Sequence, residues 1–448
     1  MLAALVLVLI ASLLAPVGEA KAQQQAPRTS IYVSPSGDDS RSGRRPDGAG
    51  GDGPVATLER ARDLVRAMKA GAGLPSGGVS VVLAPGTYRL AQPLELTDAD
   101  SGGDDAPVVY RAAGGEVVLS GGVALRTYSA VSDPAVLNRL PEAARRNVVE
   151  FDLPANGVTT FPGLQRVGFR DPSVTAPLDI FVRGQPMQLA RWPNEGFLTI
   201  AEVPDGLRGR RFSYQGDAPP QPWSEDERPW IYGYYVKPFA DEYNPVASVD
   251  PASRMVTLTE PAGRLWWLGL APGGRFYFLN VLGELDQPGE WYLDSGKGKL
   301  YFWPPQPLQP GDVDVSVTET LLSLSGARNV RFEGMTVELS RGAAVVIGEG
   351  EGNSLRDCTI RNVGGWGATV TGQNNGVVNC QAFNLGEGGV NLQGGDRQTL
   401  TPAGLYAERN RIHDYGRWRH TYRPAVEIGG VGNRAAHNQI YNAPHQGM

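Results

Sequence analysis

Cysteine is nearly absent from this chain of 448 residues, with only Cys358 and Cys380. Two thiols make no disulfide framework, and no Cys/His spacing fits a structural zinc site. Histidine is as scarce: four residues, the first of them His413. No run of Lys or Arg forms a basic stripe, and the net charge of -6 argues against a nucleic-acid partner. No apolar run reaches the length of a membrane span. The longest, Leu2 to Ala15, ends in Pro16, Val17 and Gly18 and is followed by the small-x-small pattern Ala20-Lys21-Ala22. Residues 1–22 therefore read as a signal peptide rather than a buried helix, and the protein is expected to be secreted or periplasmic, with no integral membrane segment after cleavage. Glycine, by contrast, is abundant at 58 residues, about 13% against an average near 7%. The excess predicts many tight turns.

The turns belong to a repeat. Met335, Cys358, Cys380, Asn410 and Asn438 occupy one column, with apolar-x-apolar pairs ten and twelve residues on: Val345 and Ile347, Ala368 and Val370, Val390 and Leu392. A period of about 22 residues built from short strands and glycine turns predicts a parallel β-helix; the dense leucine pattern of a leucine-rich repeat is missing. Cys358 and Cys380 then stack on successive coils, where in-register strands seldom meet disulfide geometry. Asn410 and Asn438 form a structural amide ladder. At the other end, Ile31-Tyr32-Val33, Val79 to Leu83, Val108 to Tyr110 and Val117 to Leu119 begin the coils. Thr57 to Ala70 reads as a capping helix with Thr57 as N-cap and Leu58, Ala61, Val65 and Met68 on one face.

Between about 123 and 312 the period vanishes, and aromatic strand-prone segments replace it: Leu178 to Val182, Trp230 to Tyr235, Arg275 to Leu279 and Trp291 to Phe302. The expected fold is all-β: a right-handed parallel β-helix with an N-terminal capping helix and an inserted β-rich domain. Its parts are a signal peptide (1–22), the cap and first coils (23–122), the insertion (123–312), and further coils (313–448). Trp230, Trp266 and Trp267 are assigned to the core or interface of the insertion.

Several segments, in this order, resemble the right-handed β-helix glycoside hydrolases of family 141 and their unassigned relatives. They run from Ile31-Tyr32-Val33-Ser34-Pro35 through Leu83-Ala84-Pro85-Gly86-Thr87-Tyr88, Ala190-Arg191-Trp192-Pro193-Asn194 and Gly289-Glu290-Trp291-Tyr292-Leu293-Asp294. Leu300-Tyr301-Phe302-Trp303-Pro304-Pro305, Gly394-Gly395-Asp396-Arg397, Tyr422-Arg423-Pro424 and Asn442-Ala443-Pro444-His445 complete the set. The resemblance implies a secreted enzyme acting on plant or microbial polysaccharide, with α-L-fucosidase and xylanase activities known in the family. It also implies further coils beyond the Asn-x-Pro-His motif that carry much of the family's acidic machinery. The C-terminal coils are accordingly expected to be truncated here, and no catalytic pair is carried over.

The register itself points to a site. Seven residues beyond the column stand Gly342, Gly365, Glu387 and His445, and the coil between Glu387 and His445 carries extra residues in Tyr415 to Arg423 and in Gly395 to Gly404. Loops on a rigid scaffold commonly carry function. Aromatic rings stack on sugar faces, while carboxylates, His and Arg bind hydroxyls or acid groups. Glycoside hydrolysis normally uses two carboxylates. The candidates are Glu387, Glu427 and His445 for catalysis, and Trp366, Trp418, His420, Tyr422, Arg423 and Asp241 for substrate binding. Each has a structural alternative: a capped or solvated carboxylate, a turn histidine, a loop-pinning arginine. The leading expectation is a monomeric, cofactor-free glycoside hydrolase acting on a polysaccharide or oligosaccharide. A polysaccharide lyase is the second reading, though no Asp/Glu cluster for Ca²⁺ is evident. A non-catalytic carbohydrate-binding surface protein is the third.

Overall fold

The computed structural model describes residues 29–448 apart from 218, 220–222 and 224–226. The signal peptide lies outside the described residues. Three parallel sheets wind around one apolar interior. Sheet A runs through Thr29–Val33, Val79–Leu83, Val108–Ala112, Val330–Glu333 and on to Arg434–Ala436; sheet B from Gly86–Arg89 to Gln439–Tyr441; sheet C from Leu94–Thr97 through Leu322–Ser325, Val345–Gly348, Ala368–Val370 and Val390–Gly394 to Val426–Gly430. Every rung is in register: Leu324, Ile347, Val370 and Leu392 pair in sequence along sheet C and are all buried. A slip of one residue in any coil exposes such residues, each worth about 1.5–3 kcal/mol when buried, so the alternation fixes the register.

Met335, Cys358 and Cys380 stack just ahead of paired Thr336, Thr359 and Gln381, and both thiols are free and buried. The amide ladder is present: Asn410 Nδ2 donates to Asn438 Oδ1 at 3.0 Å. Two columns of left-handed residues bracket sheet B, one through Asp357, Asn379, Arg409 and His437, the other through Asn362, Asn384, Asp414 and Asn442. Asn and Asp tolerate this backbone better than other L-residues, which explains their recurrence where the chain turns a corner. The helix Leu58–Gly71 packs Leu58, Ala61 and Val65 into the interior, and Thr57 Oγ1 accepts from Arg60 N at 3.1 Å.

The second coil is interrupted at its corner between sheets B and C. After Val117–Ser120 the chain leaves through Gly122–Leu125, and it returns through Val313–Ser316 before Leu322–Ser325. These two strands pair antiparallel, a two-stranded stalk joined by Ile180–Val182. Beyond it lie a five-stranded sheet and a small barrel. The barrel runs from Arg275–Leu279 through Leu198–Ile200, Arg211–Gln215, Met255–Leu258, Glu242–Asp250 and Trp230–Tyr234 and closes back on Arg275–Leu279. Trp230 and Trp267 are partly buried, but Trp266 is 85% exposed, so its assignment to core or interface is corrected: its neighbour Trp267 takes the place against Phe169 and Phe239.

Candidate functional site

The corner that the insertion interrupts carries one column on successive coils. Gly342 N donates to Glu319 O, Gly365 N to Gly342 O, Glu387 N to Gly365 O, and Gly416 N to Glu387 O, at 2.8, 3.2, 3.1 and 2.8 Å. A Cβ on Gly342 would stand 2.9 Å from the Glu319 carbonyl oxygen, and one on Gly365 2.6 Å from the Gly342 carbonyl carbon, so only glycine fits there. The floor between Glu319 and Glu387 is therefore bare backbone. A cleft of about 380 Å³ occupies this space, walled by Trp366, by Thr369 and Asn391 from sheet C, and by Ser173 to Thr175 of the insertion. It shares Glu319 and Thr320 with a larger cleft of about 1240 Å³ that continues over Ser323 and Val346. Ser323, Val346, Thr369, Asn391 and Glu427 are rung neighbours on the outward face of sheet C. The result is a groove following the helix axis, with the inserted domain as its side wall.

Glu387 is only 1% exposed. Its Oε1 lies 3.3 Å from Arg419 Nη1 and 3.2 Å from Arg423 Nε, and its Oε2 accepts from Ser173 Oγ at 2.5 Å. Arg419 also donates to the carbonyls of Gly168, Asp171 and Pro172, and Arg423 to that of Asp171. Trp366, buried, donates its indole N–H to Ser173 Oγ at 3.2 Å. These contacts tie the 415–423 loop of one coil to the 168–173 segment of the insertion. Asp241, buried on the barrel side, accepts from His420 N at 2.9 Å, Tyr232 Oη at 3.1 Å and Thr421 Oγ1. His420 Nδ1 meets Tyr234 Oη at 3.2 Å, and burial lowers its pKa against the opposing pull of Asp241. Tyr422 packs on Phe169 and on the exposed His445, with ring centroids 5.0 and 5.2 Å apart. Trp418 packs against the core of the insertion, beside Tyr243. The structure thus gathers Glu387, Trp366, Trp418, His420, Tyr422, Arg423 and Asp241 into one region, where they bind coil to insertion.

Glu427 stands apart from that tie. It lies on the outward face of sheet C, one rung beyond Asn391, and is partly exposed. Burial raises its pKa, the Arg423 guanidinium opposes the rise, and the Glu387 carboxylate adds to it. A raised pKa favours the protonated form, the form that can donate a proton to a leaving oxygen. Glu387 is different: with both oxygens engaged and no solvent access, a proton transfer through it requires the Ser173 contact to open.

Two participants escaped the sequence reading. Glu319 sits 23 residues before Gly342 in the same column, and extending the register back by one repeat locates it. Its carboxylate is 3.2 Å from Arg341 and 64% exposed. Arg419, between Trp418 and His420, is the more deeply buried of the two arginines on Glu387. Among the described residues no group of three His, Cys, Asp or Glu side chains is arranged to hold a metal ion, and no helix is long and apolar enough to cross a membrane.

The coils, corner column and stalked insertion define a β-helix protein carrying a grooved insertion. Comparison with known proteins gives the same fold. A profile for the right-handed β-helix region matches residues 320–447. A solved glycoside hydrolase superposes with a TM-score of 0.62 at 17% identity, covering 92% of this chain and 88% of that one. The complex of XylC with xylose gives a TM-score of 0.43 at 12% identity, covering 91% of this chain and 65% of that one. A rhamnogalacturonan lyase gives 0.29 at 10% identity, covering 90% and 62%. No curated protein sequence matches the chain.

Proposed function

We propose that the protein is a secreted carbohydrate-active enzyme of the glycoside hydrolase type, with a polysaccharide chain lying along the groove of sheet C. The observation that carries this reading is the bare glycine floor between Glu319 and Glu387, with Glu427 one rung beyond Asn391 of its wall. A sugar ring needs room against backbone, hydroxyl and amide partners along its rim, and a proton donor at one side; Thr369, Asn391 and Glu427 supply the last two. Glu427 is the proton donor in this scheme. Glu387 is a positioning residue that holds the wall in place and, through its negative charge, adds to the rise that burial gives the Glu427 pKa. Glu319, solvent-accessible, lies four rungs from Glu427 along the groove, roughly 19 Å, beyond the separation at which two carboxylates share one glycosidic bond, and is a hydroxyl-binding group on the rim. Fucosidase-like and xylanase-like substrates are the first to try.

The test is incubation with xylans, fucosylated polysaccharides and pectins, followed by measurement of reducing ends and of ultraviolet absorbance. Reducing ends without new absorbance, lost in Glu427→Gln, support hydrolysis. Absorbance from an unsaturated product means a lyase. Binding with no turnover by the folded protein on any of these polymers leaves a carbohydrate-binding protein and overturns the proposal.

A further inference from the structure

A second cavity, of about 650 Å³, lies within the insertion, away from the sheet C face. Trp230, at the start of a barrel strand, and Trp291 and Tyr292, from the five-stranded sheet, line it together with Trp418 from the coil loop. Asn280 and the exposed turn Asp294 to Lys297 form other parts of its wall. Buried indole N–H groups ordinarily find an acceptor. Trp291 is 1% exposed, and its indole N–H has none. Charged groups stand on its wall as well, with Arg139 paired to Glu227 at 2.8 Å and Lys297 to Asp294 at 3.8 Å. Pockets of this size accept ligands of a few rings, and aromatic faces mixed with amide and charged groups suit sugars better than wholly apolar molecules.

We propose that this pocket is a second saccharide-binding site, taking a short oligosaccharide that stacks on Trp230 and meets the amide and charged groups of its wall. It holds a chain to the inserted domain independently of any turnover in the groove. The test is isothermal titration of the full chain with trigalacturonate and xylotetraose. It is repeated on Thr369→Trp, which fills the groove, and on Trp230→Ala and Ser295→Trp, which alter the pocket. Ser295 is on an exposed turn, so its variant leaves the core intact if Trp230→Ala disturbs folding. Whichever of the two sugars binds wild type is expected to bind Thr369→Trp alike, and Ser295→Trp should weaken it at least tenfold while leaving groove turnover unchanged. Loss of binding in Thr369→Trp with none in Ser295→Trp would overturn the second site, as would failure of both sugars to bind wild type.

Discussion

Replacing Glu387 by Gln separates anchoring from direct catalysis. The carboxylate is 1% exposed and faces two guanidinium groups at 3.3 and 3.2 Å, of which Arg419 is itself 5% exposed. Burial lowers the pKa of Arg419 and the neighbouring Arg423 lowers it further, while the carboxylates of Glu387, Asp241 and Asp171 oppose the fall. Gln keeps an acceptor for Ser173 but removes the counter-charge, leaving two adjacent cations in a place closed to water. Breaking one side of such a buried pair costs about 3–5 kcal/mol. The expected result is a fall in stability of that order by urea denaturation, with new protease cleavage within 161–179 or 415–423. The double variant Glu387→Gln/Arg423→Gln should recover part of the loss, because one unpaired charge goes with it. The proposal also sets a catalytic signature. Removing the Glu387 charge lowers the pKa of Glu427, so the alkaline limb of the activity profile should move to lower pH. If Glu387→Gln is as stable as wild type yet has no turnover at any pH, the anchor assignment is wrong and Glu387 belongs to the chemistry.

Glu427→Gln should abolish turnover with an unchanged melting temperature, and in wild type activity should fall as pH rises through the raised pKa of this proton donor; an unchanged rate in the variant refutes its role. Gly365→Ala places a Cβ 2.6 Å from the Gly342 carbonyl carbon and should both destabilise the coil and reduce turnover, whereas Gly71→Ala, with open space around its Cβ, should leave turnover unchanged. Glu284 and Glu290, buried in the insertion, have pKa values pushed up to about 8 by burial, so they fold neutral and ionise more readily when unfolded. Their stability contribution is complete below the ordinary carboxylate range and is lost as pH rises toward 8, at up to about 1.4 kcal/mol per pH unit for each group; unfolding midpoints measured from pH 5 to 8 should decline, and Glu284→Gln should flatten the decline.

Local and periodic features of the fold were legible because a β-helix repeats its instructions. The column Met335, Cys358, Cys380 and the pairs Val345/Ile347 to Val390/Leu392 each state the same inward face, and the structure pairs them rung by rung. The barrel was not legible: its closure depends on Trp230–Tyr234 meeting Arg275–Leu279 across 40 intervening residues, and nothing local specifies that pairing. At the site, the register found Glu387 because that coil is uninterrupted. It missed Glu319 because the insertion breaks the period one residue column away from it. Arg419 was overlooked since an arginine among aromatics reads as a solvated charge, when it donates to three insertion carbonyls.

The position of the insertion explains why the anchor and the groove belong together. A domain attached only through Gly122–Leu125 and Val313–Ser316 would pivot on a two-stranded stalk at the second coil. Its second attachment, through Arg419, Asp241 and Tyr422, is on the coil of Gly416, four rungs along the same corner from Glu319, or roughly 19 Å at about 4.8 Å per rung. The span between the two attachments is the length over which Gly342 and Gly365 leave the corner bare. The insertion is also held at the rungs between, where Ala176 exchanges hydrogen bonds with Arg341 at 3.0 and 3.1 Å and Trp366 donates to Ser173 at 3.2 Å, so the groove has a wall fixed along its length. Glu387 joins Ser173 of that wall to Arg419 and Arg423 of the coil and adds to the burial that raises the Glu427 pKa, so one buried side chain touches both the wall and the residue proposed to act beside it.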